Sequence, residues 1–160
     1  MAIDPKFIGR EYGPFTYEAG AEKMREFAYA IGGGIPSTGF SATRPPEGLS
    51  PLLHDSEAAK AGPYGSLIGF PTFAVTFAIR PFADACIDPD LKVNLLRLVH
   101  GEQQFEFHEV VKPGDTLTTR GKITDIVAKR SLDFLEVTTE THNQHGKLVV
   151  RAKWTAIIRG

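Results

Sequence analysis

The stretch Phe70-Pro-Thr-Phe-Ala-Val-Thr-Phe-Ala-Ile-Arg-Pro-Phe-Ala-Asp-Ala-Cys86 is the most apolar run in the chain. Phe73, Ala74, Val75, Phe77, Ala78, Ile79, Phe82 and Ala83 cover nearly the whole circumference of a helix. A helix that is apolar all round is a buried one. Pro71 suits its first turn, where a missing N–H costs little, and Pro81 kinks or ends it near Arg80. Arg80 and Asp84 interrupt the run, which is too short to span a bilayer. The helix therefore needs a wrapper made from the rest of the chain. Its N-terminal end, Gly69 to Thr72, is the part open to chemistry.

The wrapper is legible downstream. After Asp88-Pro-Asp90 the apolar period changes from helical to two. Strands are expected across Leu96 to Glu109, Leu117 to Val127, Leu132 to Asn143 and Leu148 to Ile158, separated by turns at Lys112-Pro-Gly-Asp115, Ala128-Lys-Arg-Ser131 and Asn143-Gln-His-Gly146. Upstream, residues 18–31 read as an amphipathic helix with Met24, Phe27, Ala28 and Ile31 on one stripe and Glu22, Lys23, Arg25 and Glu26 on the wet side. Tyr12 to Tyr17 is a short strand or extended lead-in. His54 to Gly62 reads as a short helix capped by Asp55 or Ser56. The segment 32–53 has no usable period, and long loops of this kind often carry function. Phe40 and Arg44 are its large side chains with reach toward a ligand or a second subunit. The fold class is α+β, an antiparallel sheet curled around the apolar helix, in one domain over 1–160. Such a sheet leaves an edge strand uncovered, and pairing with a second sheet would cover it.

Composition narrows the function. The net charge is -1 with no basic block, which speaks against nucleic acid. The single cysteine, Cys86, excludes an intramolecular disulfide and points to a cytoplasmic protein. The N-terminus lacks an apolar signal core, no membrane role is indicated, and no metal-ligand spacing or cofactor motif is visible.

Three stretches carry a family resemblance: Tyr17 to Gly32; His54-Asp-Ser-Glu-Ala-Ala-Lys-Ala-Gly-Pro-Tyr-Gly-Ser-Leu-Ile-Gly-Phe-Pro-Thr-Phe73; and Val99-His-Gly-Glu-Gln-Gln-Phe-Glu-Phe-His108 followed by Val111-Lys-Pro-Gly-Asp-Thr-Leu117. With them the chain resembles the hot-dog fold of MaoC-like dehydratases, in the N-terminal FAS1-like branch. The resemblance implies an acyl thioester on coenzyme A or acyl carrier protein, and reversible addition of water to a trans-2-enoyl group. It implies a loop Asp and a nearby His that hold and activate the water, in a motif of the form Gly-Asp-x-Asn-Pro-Leu-His-x-Asp. A backbone N–H at the start of the buried helix would polarise the thioester oxygen.

The chain departs from that motif. It reads Gly48-Leu-Ser-Pro-Leu-Leu-His-Asp55. Aligned on Gly48, Leu49 stands at the Asp position; aligned on Pro51, Leu53 stands at the His position with His54 one residue beyond. A register through Gly32-Gly-Gly-Ile-Pro36 puts Gly33 where Asp is needed. Phe70-Pro71 replaces the usual His-Gly before the helix, so Thr72 is the donor left. The resemblance therefore suggests a channel-forming subunit whose partner carries the Asp and His. Otherwise His54 and Asp55 act as a displaced pair, in an atypical homodimer. A binding module without catalysis and a hot-dog thioesterase are the competing functions. The expected substrate contacts are Gly69, Phe70, Thr72, Phe73, Phe40 and Arg44, with His100 and Glu102 two apart on one strand face. Arg97, Arg120, Lys122, Lys129 and Arg130 are the cations available to carrier phosphates.

Overall fold

The computed structural model describes residues 3–32, 45 and 47–160. Phe40 and Arg44 lie outside the described residues. In chain order the elements are β1 (Glu11–Glu18), α1 (Ala21–Gly32), α2 (Ser56–Lys60), α3 (Val75–Ala78), α4 (Arg80–Ile87), β2 (Leu98–Phe107), β3 (Thr116–Lys129), β4 (Leu132–His142) and β5 (Leu148–Arg159). The chain falls into two compact units. One takes residues up to Thr16, Thr76–Glu109 and Leu117–Gly160; the other takes Tyr17–Val75 and Val110–Thr116.

The first unit is built on a five-stranded sheet in the order β1-β3-β4-β5-β2. The neighbours β3–β4, β4–β5 and β2–β5 are antiparallel. The period-two alternation of the sequence becomes two faces. Leu117, Thr119 and Ile123 on β3, Leu135 and Val137 on β4, and Ala152, Trp154 and Ala156 on β5 are buried on the inner face. The outer face carries the cross-strand ion pairs that alternation implies: Glu136 with Lys153 at 3.1 Å, and Arg151 shared by Glu140 at 2.9 Å and Glu106 at 3.2 Å. Of the two expectations for Tyr12 to Tyr17, strand or extended lead-in, the structure shows the strand, β1. It joins the edge of β3, where the Gly9 N–H donates to the Ile123 carbonyl and the Ile123 N–H to the Arg10 carbonyl.

The apolar run is not one helix. Pro71–Ala74 forms a 3₁₀ turn, α3 follows, and the helix restarts as α4 with Ile79 as its N-cap and Pro81 in the first turn. The missing proline N–H falls where an N-terminal turn has no acceptor for it. Pro81, Phe82, Ala85 and Cys86 are buried. Burial pushes the Cys86 thiol up to about 12, which leaves it without a thiolate to act as nucleophile. Among the described residues, no helix is long and apolar enough to cross a membrane.

The second unit is organised by α1. Met24 and Ala28 are buried as the stripe requires, whereas Ile31, near the end of the helix, is exposed. The Phe27 ring meets Phe73 edge-on at 5.5 Å, and Tyr17 meets Phe73 edge-on at 6.2 Å.

Candidate functional site

In the second unit, the segment from His54 to Ser56 is held by α1. Arg25 Nε donates to the His54 carbonyl at 3.0 Å, and Arg25 Nη2 donates to Ser56 Oγ at 2.6 Å. The same guanidinium pairs with Glu22. The His54 ring lies 6.1 Å from the Tyr29 ring. Sequence periodicity put Arg25 on the wet side of the helix. Its side chain is instead only 22% exposed, and it fixes the segment that carries His54. Nothing in the local pattern distinguishes it from Lys23 or Glu26, because its acceptors lie 29 and 31 residues downstream.

Asp55 is occupied. Its Oδ1 accepts from the Glu57 and Ala58 amides at 3.0 and 3.1 Å, as the N-cap of α2. Those backbone hydrogen bonds hold its carboxyl below the usual carboxylate range. A base works when its lone pairs are open to a proton from the substrate or water, and here Oδ1 is engaged at a helix end. The cap contributes stability above the ordinary carboxylate range and loses it as pH falls through the lowered value. Protection of the Glu57 and Ala58 amides, taken relative to the intrinsic exchange rate at each pH, is therefore expected to fall on acidification. In Asp55→Asn, which keeps the acceptor and loses the titration, that loss of protection disappears.

Gly69 is committed too: its N–H donates to the Val111 carbonyl at 2.8 Å. A Cβ at Gly69 would meet the Phe73 ring at 3.2 Å, so glycine allows the two to pack. Phe70 is the N-cap of the 3₁₀ turn, and its carbonyl accepts from Phe73 N–H at 2.7 Å. Phe73 is 1% exposed against Phe27 and Tyr17, which makes it part of the core. Thr72 is exposed in the first turn, where amides have no intrahelical acceptor.

In the first unit, His100 and Glu102 do not share a face. The register of β2 against β5 slips between them: His100 stands opposite Ala156 and Glu102 opposite Thr155. Ala156 and Thr155 are neighbours on β5 and point to opposite sides. The bulge at Gly101 turns the expected couple apart, and a glycine inside a strand pattern is the signal that marks it. On the inner face the His100 ring lies tilted against Phe82 at 5.3 Å and Trp154 at 5.8 Å. Glu102 lies on the outer face, beside Thr155 and Ile157 in a groove that also holds Asp125 and Lys129. Of the five cations available to phosphates, Arg120 and Lys122 converge on one groove of about 270 Å³ with Tyr12 and Thr138.

Comparison with known proteins places this geometry. Residues 6–152 match the family described as "FAS1-like, dehydratase domain region". A UPF0336 protein of Saccharopolyspora erythraea is 40% identical over 161 residues, covering all of this chain and 94% of the relative. A UPF0336 protein of Streptomyces coelicolor is 35% identical over 159 residues, covering 99% of this chain and 95% of that one. Among solved structures, the HadBC (3R-hydroxyacyl-ACP dehydratase) complex of Mycobacterium tuberculosis matches with a TM-score of 0.75 at 25% identity, covering 98% of this chain and 99% of that one. The ChsH1-ChsH2 complex of the same organism matches with a TM-score of 0.67 at 15% identity, covering 94% and 89%. An α+β chain with a five-stranded antiparallel sheet, matched along nearly its whole length by these relatives, belongs to the FAS1-like dehydratase family and has the MaoC-like hot-dog fold.

Proposed function

We propose that this chain is the acyl-binding subunit of a cytoplasmic enoyl-thioester hydratase or 3-hydroxyacyl-thioester dehydratase, whose Asp and His come from a partner of the same fold. The observation that carries the reading is Asp55: its carboxylate caps α2 through two backbone amides, beside a sequence in which Leu49 stands at the motif's Asp position. Water addition needs a group that takes a proton from water while the oxygen attacks C3 of the enoyl chain, and a proton delivered to C2. Thr72, in the first turn of the buried run, is the donor for the thioester oxygen.

The partner docks on β2. The sheet has two edges, β1 and β2. Proline at position 14 blunts β1, whereas β2 runs from Leu98 to Phe107 with no Pro, Lys or Arg. Leu95, Leu96, Val99 and Phe107 are exposed along it, Leu96 to 97%. Beyond the Gly101 bulge, a proline-free edge flanked by exposed apolar side chains is a template for a second strand. The two solved structures compared above, HadBC and ChsH1-ChsH2, are themselves complexes.

The test is hydration of crotonyl-CoA, followed by loss of enoyl absorbance. The chain alone is expected to be inert and to gain activity when mixed with a MaoC-like companion that carries the Gly-Asp-x-Asn-Pro-x-His motif. Full activity of the chain alone, unaffected by His54→Ala, would refute the subunit reading. Release of free thiol without hydration would make it a thioesterase, and thioester binding without either reaction would make it a carrier-binding module.

A further inference from the structure

We infer that the β2 edge selects against a second copy of this chain and for a partner with Lys or Arg on the outer face of its own edge strand. The inference rests on the proposed docking at β2 and names the chemistry of the partner. Beyond the Gly101 bulge, the outer-face residues of β2 are Glu102, Gln104 and Glu106, opposite Thr155, Lys153 and Arg151 of β5. The cations behind them are already engaged. Arg151 is shared by Glu106 and Glu140, and Lys153 is held by Glu136. Glu102 has no ion pair among the described residues, and the other neighbour of Glu106 is His108 at 3.2 Å. The row nearest the edge is therefore acidic, and the cation behind it without an ion pair among the described residues is Lys129, in the groove beside Glu102.

A homodimer that extends the sheet through β2 has its two-fold axis normal to the sheet, which makes the strands antiparallel and keeps outer faces together. Centred on Gln104, that arrangement sets Glu102 opposite Glu106 of the second copy, twice. Slipping by one pair either way leaves a Glu opposite Gln104 with another Glu at the diagonal position. Like charges directly opposite across antiparallel strands are destabilising, and diagonal neighbours remain within reach. A partner strand with Lys or Arg at the same outer positions turns each of these contacts into an attraction, so the edge sorts partners by charge while the exposed apolar residues hold any of them.

The experiment is sedimentation of the full chain at low and high salt, with the charge-neutral variant Glu102→Gln/Glu106→Gln beside it. Circular dichroism checks that both are folded. Neutralisation is expected to tighten self-association by about tenfold at low salt. Added salt is expected to tighten the wild type, by screening its repulsion, and to leave the variant unchanged. Mixed one-to-one with the wild type, a Glu102→Lys/Glu106→Lys chain stands in for the basic partner, and native mass spectrometry is expected to show mixed dimers above the statistical share. Equal self-association of wild type and neutral variant, without salt dependence, would overturn the proposal whatever the Lys variant does. Amide exchange separates this from failure of the docking reading. The His108 N–H points to β5, donating to the Val149 carbonyl, so by alternation the Gln103 and Phe105 amides point away from it. Association that protects those amides but ignores the charges defeats the charge rule alone. Association that leaves them exposed defeats edge docking, and the charge rule with it.

Discussion

Trp154→Ala is expected to destabilise the protein by about 3–5 kcal/mol, the range for deleting a large aromatic from a close-packed core. Trp154 is fully buried and is the hub of the inner face. Phe82 of α4 stacks on it at 5.8 Å and 18°, and Phe105 of β2 meets it edge-on at 5.5 Å. Its indole N–H donates to Thr139 Oγ1 at 3.0 Å. Removing the ring opens a cavity between α4 and β5, strips Phe82 and Phe105 of a neighbour, and leaves the Thr139 hydroxyl without its donor. Folded proteins of this size hold only about 5–15 kcal/mol in all, so the loss takes a large share of the stability. At about 2–4 °C per kcal/mol, the melting temperature by circular dichroism should fall by about 10 °C or more. Trp154→Phe, which refills most of the space and sacrifices the hydrogen bond, should fall between wild type and alanine. Equal melting temperatures for wild type and Trp154→Ala would mean that the inner face is not organised around this ring.

The fold was readable because its strongest signals are periodic. The change from helical to two-residue period after Asp90 marks where the sheet segments begin, and the alternation along β3, β4 and β5 assigns each residue to a face. Pro81 announced the interruption near Arg80, and the structure breaks the helix there: α3 ends at Ala78 and α4 begins at Arg80 behind its N-cap Ile79. Local patterns failed where a single residue resets the phase. The bulge at Gly101 breaks the i, i+2 rule that joined His100 to Glu102, and it sends one into the aromatic cluster and the other to the outer face. The Gly was visible; the register change it licenses depends on β5, which lies some fifty residues away in the chain.

The candidate site was less legible, for a different reason. Asp55 as a cap follows from four consecutive residues, and the structure shows that cap. The role of Arg25 follows from nothing local, because a guanidinium reaching a carbonyl across the unit leaves no period in the sequence. Gly69 and Phe73 were read as substrate contacts from their place at the head of the apolar run. The structure ties Gly69 to Val111 and packs Phe73 among rings, so the head of the run is partly core, with Thr72 its exposed member.

Gly121→Val is expected to be the most damaging change that adds atoms. A Cβ at Gly121 would lie 2.5 Å from Pro81 Cβ, 2.9 Å from Thr139 Cγ2 and 3.2 Å from Pro81 Cγ. β3 and α4 touch there through a glycine and a rigid ring, and neither side has a rotamer to spare. Replacing a strand glycine ordinarily gains about 0.5–1 kcal/mol through the unfolded chain's lost entropy. Overpacking of about 1–3 kcal/mol or more exceeds that gain, since helix and sheet must move apart. Gly101 provides the contrast. A Cβ there meets Ile157 Cδ1 at 2.5 Å and Cγ1 at 2.6 Å, both on one half-buried side chain that a rotamer change can carry away. Gly101→Ala should therefore be much milder than Gly121→Ala, despite the same nominal clash distance. Pairing Gly121→Ala with Pro81→Gly, which removes the obstructing Cβ, should cost less than the sum of the two single changes, by urea unfolding of all four proteins. Additive costs would show that the clash is relieved elsewhere, and that the helix does not rest on β3 at this point.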